Sequence, residues 1–145
     1  MRIALGADHA GVALKANIKE LLDERGVAYE DFGTNTTDSV DYPDYAARVA
    51  LEVAGGAFDR GILFCGSGLG MAMAANKIAG IRAAAVGDER GARLSREHND
   101  ANVLALGERL TPANTARRIV AAFLDTPFAG GRHERRVQKI NALDH

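Results

Sequence analysis

"GILFCGSGLGMAMAANK", residues 61–77, decides the fold: a short apolar run carries the chain's only cysteine into glycines at 66, 68 and 70, then into a helix-compatible stretch. A strand that passes through glycine into a helix is the opening of a βαβ unit. Four more apolar runs of the same kind stand at 2–6, 27–32, 82–86 and 102–106. Several are nearly continuous in apolar character, as strands covered on both faces are.

Amphipathic segments separate these runs. Leu14, Ile18, Leu21 and Leu22 recur at helical spacing, with Lys15, Lys19, Glu20 and Asp23 on the other side and Gly26 where a helix would stop. Ala116, Ile119, Val120, Phe123 and Leu124 repeat the pattern after Thr111 and Pro112, which predict a cap with proline at the first helical position. Weaker patterns predict helices over 43–54, 68–78, 88–97 and about 133–143. Strict alternation requires right-handed crossovers, so the expected fold class is α/β: a three-layer α/β/α sandwich, with a Rossmann-like five-stranded parallel sheet and helices on both faces.

The 145 residues are expected to form one domain, 1–145, large enough to bury a core without disulfides or a structural metal. Lys and Arg number 18 against 19 Asp and Glu, a net charge of -1, which offers no basic field for nucleic acid and no polybasic membrane patch. No apolar run approaches the roughly 20 residues of a spanning helix. One cysteine and a start that runs straight into a strand predict a cytoplasmic protein. Its expected partner is a small molecule.

In a parallel sheet, ligands bind beyond the carboxyl ends of the strands. Asp8 and His9, Cys65 to Gly70, Asp88, and Glu108 with Arg109 occupy those places. The glycine loop Gly66, Ser67, Gly68, Leu69, Gly70 leaves backbone N–H groups bare to an incoming oxygen, although a tight turn needing glycine only for packing would look the same. A dinucleotide fingerprint would want glycine at 71, a Walker loop would want Lys and then Ser or Thr, and a cysteine phosphatase loop would want arginine at 71. Met71 excludes the first and the third, and the Walker residues are absent. No cofactor is expected. The histidines at 9, 98, 133 and 145 have no companions at ligand spacing, so no metal is expected either.

Two polar clusters remain. "SREHND" holds His98, Asn99 and Asp100, and "GGRHERR" sets Arg132 and Arg136 four residues apart on one helix face, able to grip a phosphate together or to stand in solvent. Together with the glycine loop, these clusters make the chain resemble the type B ribose-5-phosphate isomerases and their galactose-6-phosphate and allose-6-phosphate isomerase relatives. The resemblance runs from "GADHAG" through "DYPDYA" and the glycine loop to "LSREHNDANVLALGER" and "GGRHERRV".

It implies a metal-independent aldose-ketose isomerase acting on a sugar phosphate through a cis-enediolate. By that resemblance Cys65 is the base, Ser67 supports the thiol or the shifting proton, the Gly66–Gly70 amides hold the enediolate oxygens, and His98 opens the furanose ring. Asp8, His9, Tyr42 and Asn99 are implied sugar contacts, and Arg109, Arg132 and Arg136 match phosphate-binding arginines. One branch uses a Glu just after the loop, where Met71 stands here, so the chemistry is expected at Cys65. A hexose 6-phosphate substrate and a non-catalytic sugar-phosphate sensor are the rival expectations.

His98 precedes the fifth strand, whereas Cys65 ends the third, and about five residues of strand span ~17 Å. The two are therefore expected at opposite sheet edges. That predicts a homodimer, or a tetramer built from it, with His98 reaching the site from the neighbouring subunit.

Overall fold

The computed structural model describes residues 1–144; His145 lies outside the described residues. The elements alternate: β1 (Arg2–Ala7), α1 (Val12–Glu24), β2 (Ala28–Asp31), α2 (Tyr42–Ala54), β3 (Arg60–Cys65), α3 (Leu69–Ala75), β4 (Ala83–Ala85), α4 (Glu89–Glu97), β5 (Val103–Gly107), α5 (Ala113–Asp125) and α6 (Arg132–Asn141). The strands form one all-parallel sheet in the order β2-β1-β3-β5-β4. The expected α/β class and helix-covered parallel sheet are what the chain adopts.

Alternating strand residues build two cores. Ile62 and Phe64 of β3 join Leu14, Ile18 and Leu22 of α1, Ala92 of α4, and Ile119, Val120 and Phe123 of α5. Leu63 and Cys65 point the other way, toward Val49 and Val53 of α2 and Met71, Ala72 and Ala75 of α3. Cys65 thus belongs to the second helical layer. By contrast, α6 lies on the outside and buries only Val137.

Helix ends follow local chemistry. Gly26, at φ +65°, closes α1: its N–H donates to Asp23 O at 3.1 Å, and the Val27 N–H donates to Leu22 O at 2.9 Å. The expected proline at the first position of α5 is displaced by one residue. Pro112 is itself the N-cap, and its carbonyl accepts from Ala116 N at 2.9 Å. Within the predicted 68–78 segment, α3 covers seven residues only. It stops because Asn76 turns to the edge strand: its Oδ1 accepts from Ala83 N at 2.7 Å and its Nδ2 donates to Ala83 O at 3.0 Å.

From β1 the chain crosses to β2 on one side, and from β3 it leaves for β4 on the other. The carboxyl ends of β1 and β3 are neighbours, with Ala7 in register with Phe64. A crevice opens where connections diverge in this way. Asp8 and Cys65 stand at its mouth.

Candidate active site

A cavity of about 340 Å³ occupies this crevice, lined by Asp8, Tyr42, Cys65, Gly66, Ser67, Gly70, Arg109 and Leu110. Cys65 is only 4% exposed and packs in the second core, and it is also one of the residues that line the cavity. The Gly68 N–H donates to Sγ at 3.1 Å.

Past Cys65 the loop bends tightly. Gly68 adopts φ +79°, a left-handed conformation that a side chain would strain. Leu69 N is spent on Ser67 Oγ at 3.3 Å, whereas the amides of Gly66, Ser67 and Gly70 donate to no acceptor among the described residues. Three bare donors in the loop that follows Cys65, on residues lining the same cavity, suit an oxygen that becomes anionic. With α3 only seven residues long, these loop amides, more than a long helix dipole, supply the positive field.

The walls come from other strand ends. Asp8 is 7% exposed, and its Oδ1 accepts from Ala10 N at 2.9 Å. His9, next to Asp8 but not among the residues that line the cavity, turns its Nδ1 to the Val40 N–H at 3.2 Å. Tyr42, first residue of α2, lies on Gly70 so closely that a Cβ there would stand 2.5 Å from its ring. The Arg109 guanidinium lies over Gly66, within 3.1 Å of where a Cβ would be, and has no carboxylate partner among the described residues. A free guanidinium beside bare amides is suited to an anion.

Two features were not anticipated, and two strand-end carboxylates expected at the ligand edge prove to be helix caps. Leu110, 67% exposed, lines the cavity next to Arg109; an apolar residue in a strand-end loop was its only signal. Gly107 lets the glycine loop lie against β5, since a Cβ would meet the Ser67 carbonyl carbon at 2.5 Å. Glu108, at a strand end, turns away from the cavity and accepts the Leu14 N–H at 2.7 Å, which caps α1. Asp88 is likewise a cap, accepting from Gly91 N at 2.6 Å.

The remaining expected residues lie elsewhere in the chain. His98 ends α4 and stacks on His133 at 4.3 Å between ring centroids, with planes 14° apart. Partial desolvation and the charges of His98, Arg132 and Arg136 pull His133 below its ordinary value. Arg132 opens α6, with Arg136 one turn later, and Asn99 lines a separate groove of about 460 Å³ beside β4 and α6. Cys65 is level with Gly107 at the carboxyl end of β5, while His98 precedes its start at Val103. Within one chain these residues form two partial sets, one around Cys65 and one around His98.

Among the described residues no group of three His, Cys, Asp or Glu side chains could hold a metal ion. No described helix is long and apolar enough to cross a membrane.

The model of a family described as Ribose/Galactose Isomerase matches residues 3–140. Ribose-5-phosphate isomerase B of Escherichia coli is 50% identical over 143 residues, which cover 99% of this chain and 96% of that protein. Among solved structures, ribose-5-phosphate isomerase B of Clostridium thermocellum superposes with a TM-score of 0.97 at 51% identity, covering 99% of this chain and 97% of that one. The Mycoplasma genitalium ribose-5-phosphate isomerase B with bound ribulose-5-phosphate gives 0.94 at 43% identity, over 97% and 94% of the two chains.

Proposed function

The chain belongs to the ribose/galactose isomerase family, and on that premise we propose that it interconverts D-ribose 5-phosphate and D-ribulose 5-phosphate without a metal ion. It is an aldose-ketose isomerase working through a cis-enediolate. One observation carries the reading: Cys65 lines the same cavity as a loop with three undonated amides.

The chemistry balances without an outside reactant. Cys65 thiolate takes the C2 proton of the open-chain aldose, the C–H electrons form the C1–C2 double bond, and the carbonyl electrons collect on O1. The amides of Gly66, Ser67 and Gly70 stabilise that charge. A proton passes between O2 and O1 with Ser67 nearby, and the thiol returns its proton to C1, leaving the ketose. The sulfur ends as it began. Arg109 supplies cationic charge to the phosphate, and Asp8, His9 and Tyr42 contact the sugar.

Ring opening falls to His98 from a second copy of the chain, with Asn99, Arg132 and Arg136 alongside it. The family resemblance and the separation of the two partial sets support a homodimer with shared sites. Cytoplasmic metabolism of sugar phosphates is the setting this chemistry fits.

The deciding experiment is Cys65→Ala, assayed for ketose formation and for solvent deuterium entering C2 of the aldose. Both are expected to fall by about 10³-fold or more, because the base is lost. Undiminished isomerisation in a folded Cys65→Ala protein would refute the assignment.

A further inference from the structure

Lys15, in the first turn of α1, is 1% exposed. Its Nζ spends all three protons, on Asp31 Oδ1 at 2.7 Å, Thr34 O at 2.5 Å and Asn35 Oδ1 at 3.0 Å. Asp31, the last residue of β2, also accepts from Gly33 N at 2.8 Å and from Lys19 Nζ at 3.0 Å. Burying an ammonium is unfavourable, and an apolar side chain would fill the space at less cost. What the ammonium adds is direction: three fixed acceptors, two of them in the segment between β2 and α2.

That segment joins two parts of the cavity wall, running beside the end of β1 that leads to Asp8 and ending at Tyr42. Gly33 and Thr34 extend the sheet pairing to Ala7, with Gly33 O accepting from Ala7 N and Thr34 N donating to Ala7 O, both at 2.7 Å. Ala7 leads directly into Asp8 and His9. Further along, Val40 N donates to His9 Nδ1 at 3.2 Å, and the segment ends at Tyr42 over Gly70. An imidazole whose Nδ1 accepts carries its proton, when neutral, on Nε2, which is then free to donate to a ligand oxygen.

We propose that Lys15 is a positioning residue for substrate: its buried ammonium fixes the segment between β2 and α2 against the end of β1, and thereby sets the His9 tautomer and the seat of Tyr42. The proposal rests on the reading of this cavity as a sugar-phosphate site. Burial draws the Lys15 ammonium below its ordinary value despite the Asp31 charge. Burial also opposes the Asp31 charge, but the bonds from Lys15, Gly33 and Lys19 outweigh it and hold that carboxyl below its ordinary value.

Lys15→Met and Lys19→Met separate positioning from stability, because Lys19 shares Asp31 but makes no hydrogen bond to the segment. Lys15→Met is expected to raise KM for ribose 5-phosphate roughly tenfold while kcat changes less than about threefold, the pattern of lost binding geometry. The His9 ring nitrogens, followed by ¹⁵N NMR, should change from a single Nε2–H tautomer to a mixture of the two. Lys19→Met should leave both within about twofold of the parent. An unaltered KM, or an unaltered His9 tautomer, in folded Lys15→Met protein would overturn the proposal. If Lys15→Met does not fold, Asn35→Ala removes one anchor acceptor from an exposed side chain, and it must move KM and the tautomer in the same sense. A parent protein inactive on ribose 5-phosphate would sink the substrate reading instead, while the tautomer signal would still test the anchor.

Discussion

At Gly70 the missing side chain is what seats Tyr42. A Cβ there would come within 2.5 Å of Tyr42 Cε1 and 2.6 Å of Cζ, but the obstacle is the far end of a side chain that can swing away. Gly70→Ala should therefore fold with a near-parental melting temperature and raise KM for the sugar phosphate roughly tenfold as Tyr42 is displaced. A double-mutant cycle checks the cause: added to Tyr42→Ala, the same change should cost less than about twofold. Equal costs in both backgrounds would place the effect in the loop amides. Sequence marked Gly70 as part of an anion loop, but only the packing discloses that the glycine also makes room for a ring from α2.

Among the elements, β5 meets the glycine loop through backbone alone. A Cβ on Gly107 would stand 2.5 to 2.7 Å from Ser67 C, O and Cα, and Glu108 N and Arg109 N donate to Cys65 O and Gly66 O at 2.9 and 3.0 Å. Neither side can yield without breaking those bonds. Gly107→Ala should cost about 1–3 kcal/mol, the usual penalty of overpacking, measured as a lower denaturant midpoint at unchanged slope. Activity should fall further than stability, because the loop must lift. Gly107 was invisible to sequence reading: a glycine after an apolar run reads as an ordinary strand end, and its conflict with Ser67 exists only once β3 and β5 are neighbours. By contrast, the extent of α1 was legible, since its apolar spacing and Gly26 act within the segment itself, although Lys15, read on its polar side, is buried.

The whole chain separates the residues of the proposed reaction into two sets. Cys65 lies at the carboxyl end of the sheet, and His98 lies before β5 begins. The connection lengths already implied this, because a strand intervenes between the two positions. If two copies share sites, Cys65→Ala and His98→Ala proteins should each be inactive alone. Mixed one to one, they should recover about a quarter of parental activity, since half the dimers are mixed and half of their sites are intact. Verified heterodimers that stay inactive would end the shared-site reading.

Composition and periodicity alone determined the α/β class, the approximate strand and helix positions, and the strand ends at which to look for chemistry, because burial imposes its period on each segment locally. Ordered motifs along the chain added the family. Tertiary structure alone decided the strand order that brings Asp8 beside Cys65, the bare approach of Gly107 to Ser67, and the burial of Lys15 against a distant loop. Those are contacts between residues far apart in sequence, and no local pattern encodes which residues will meet.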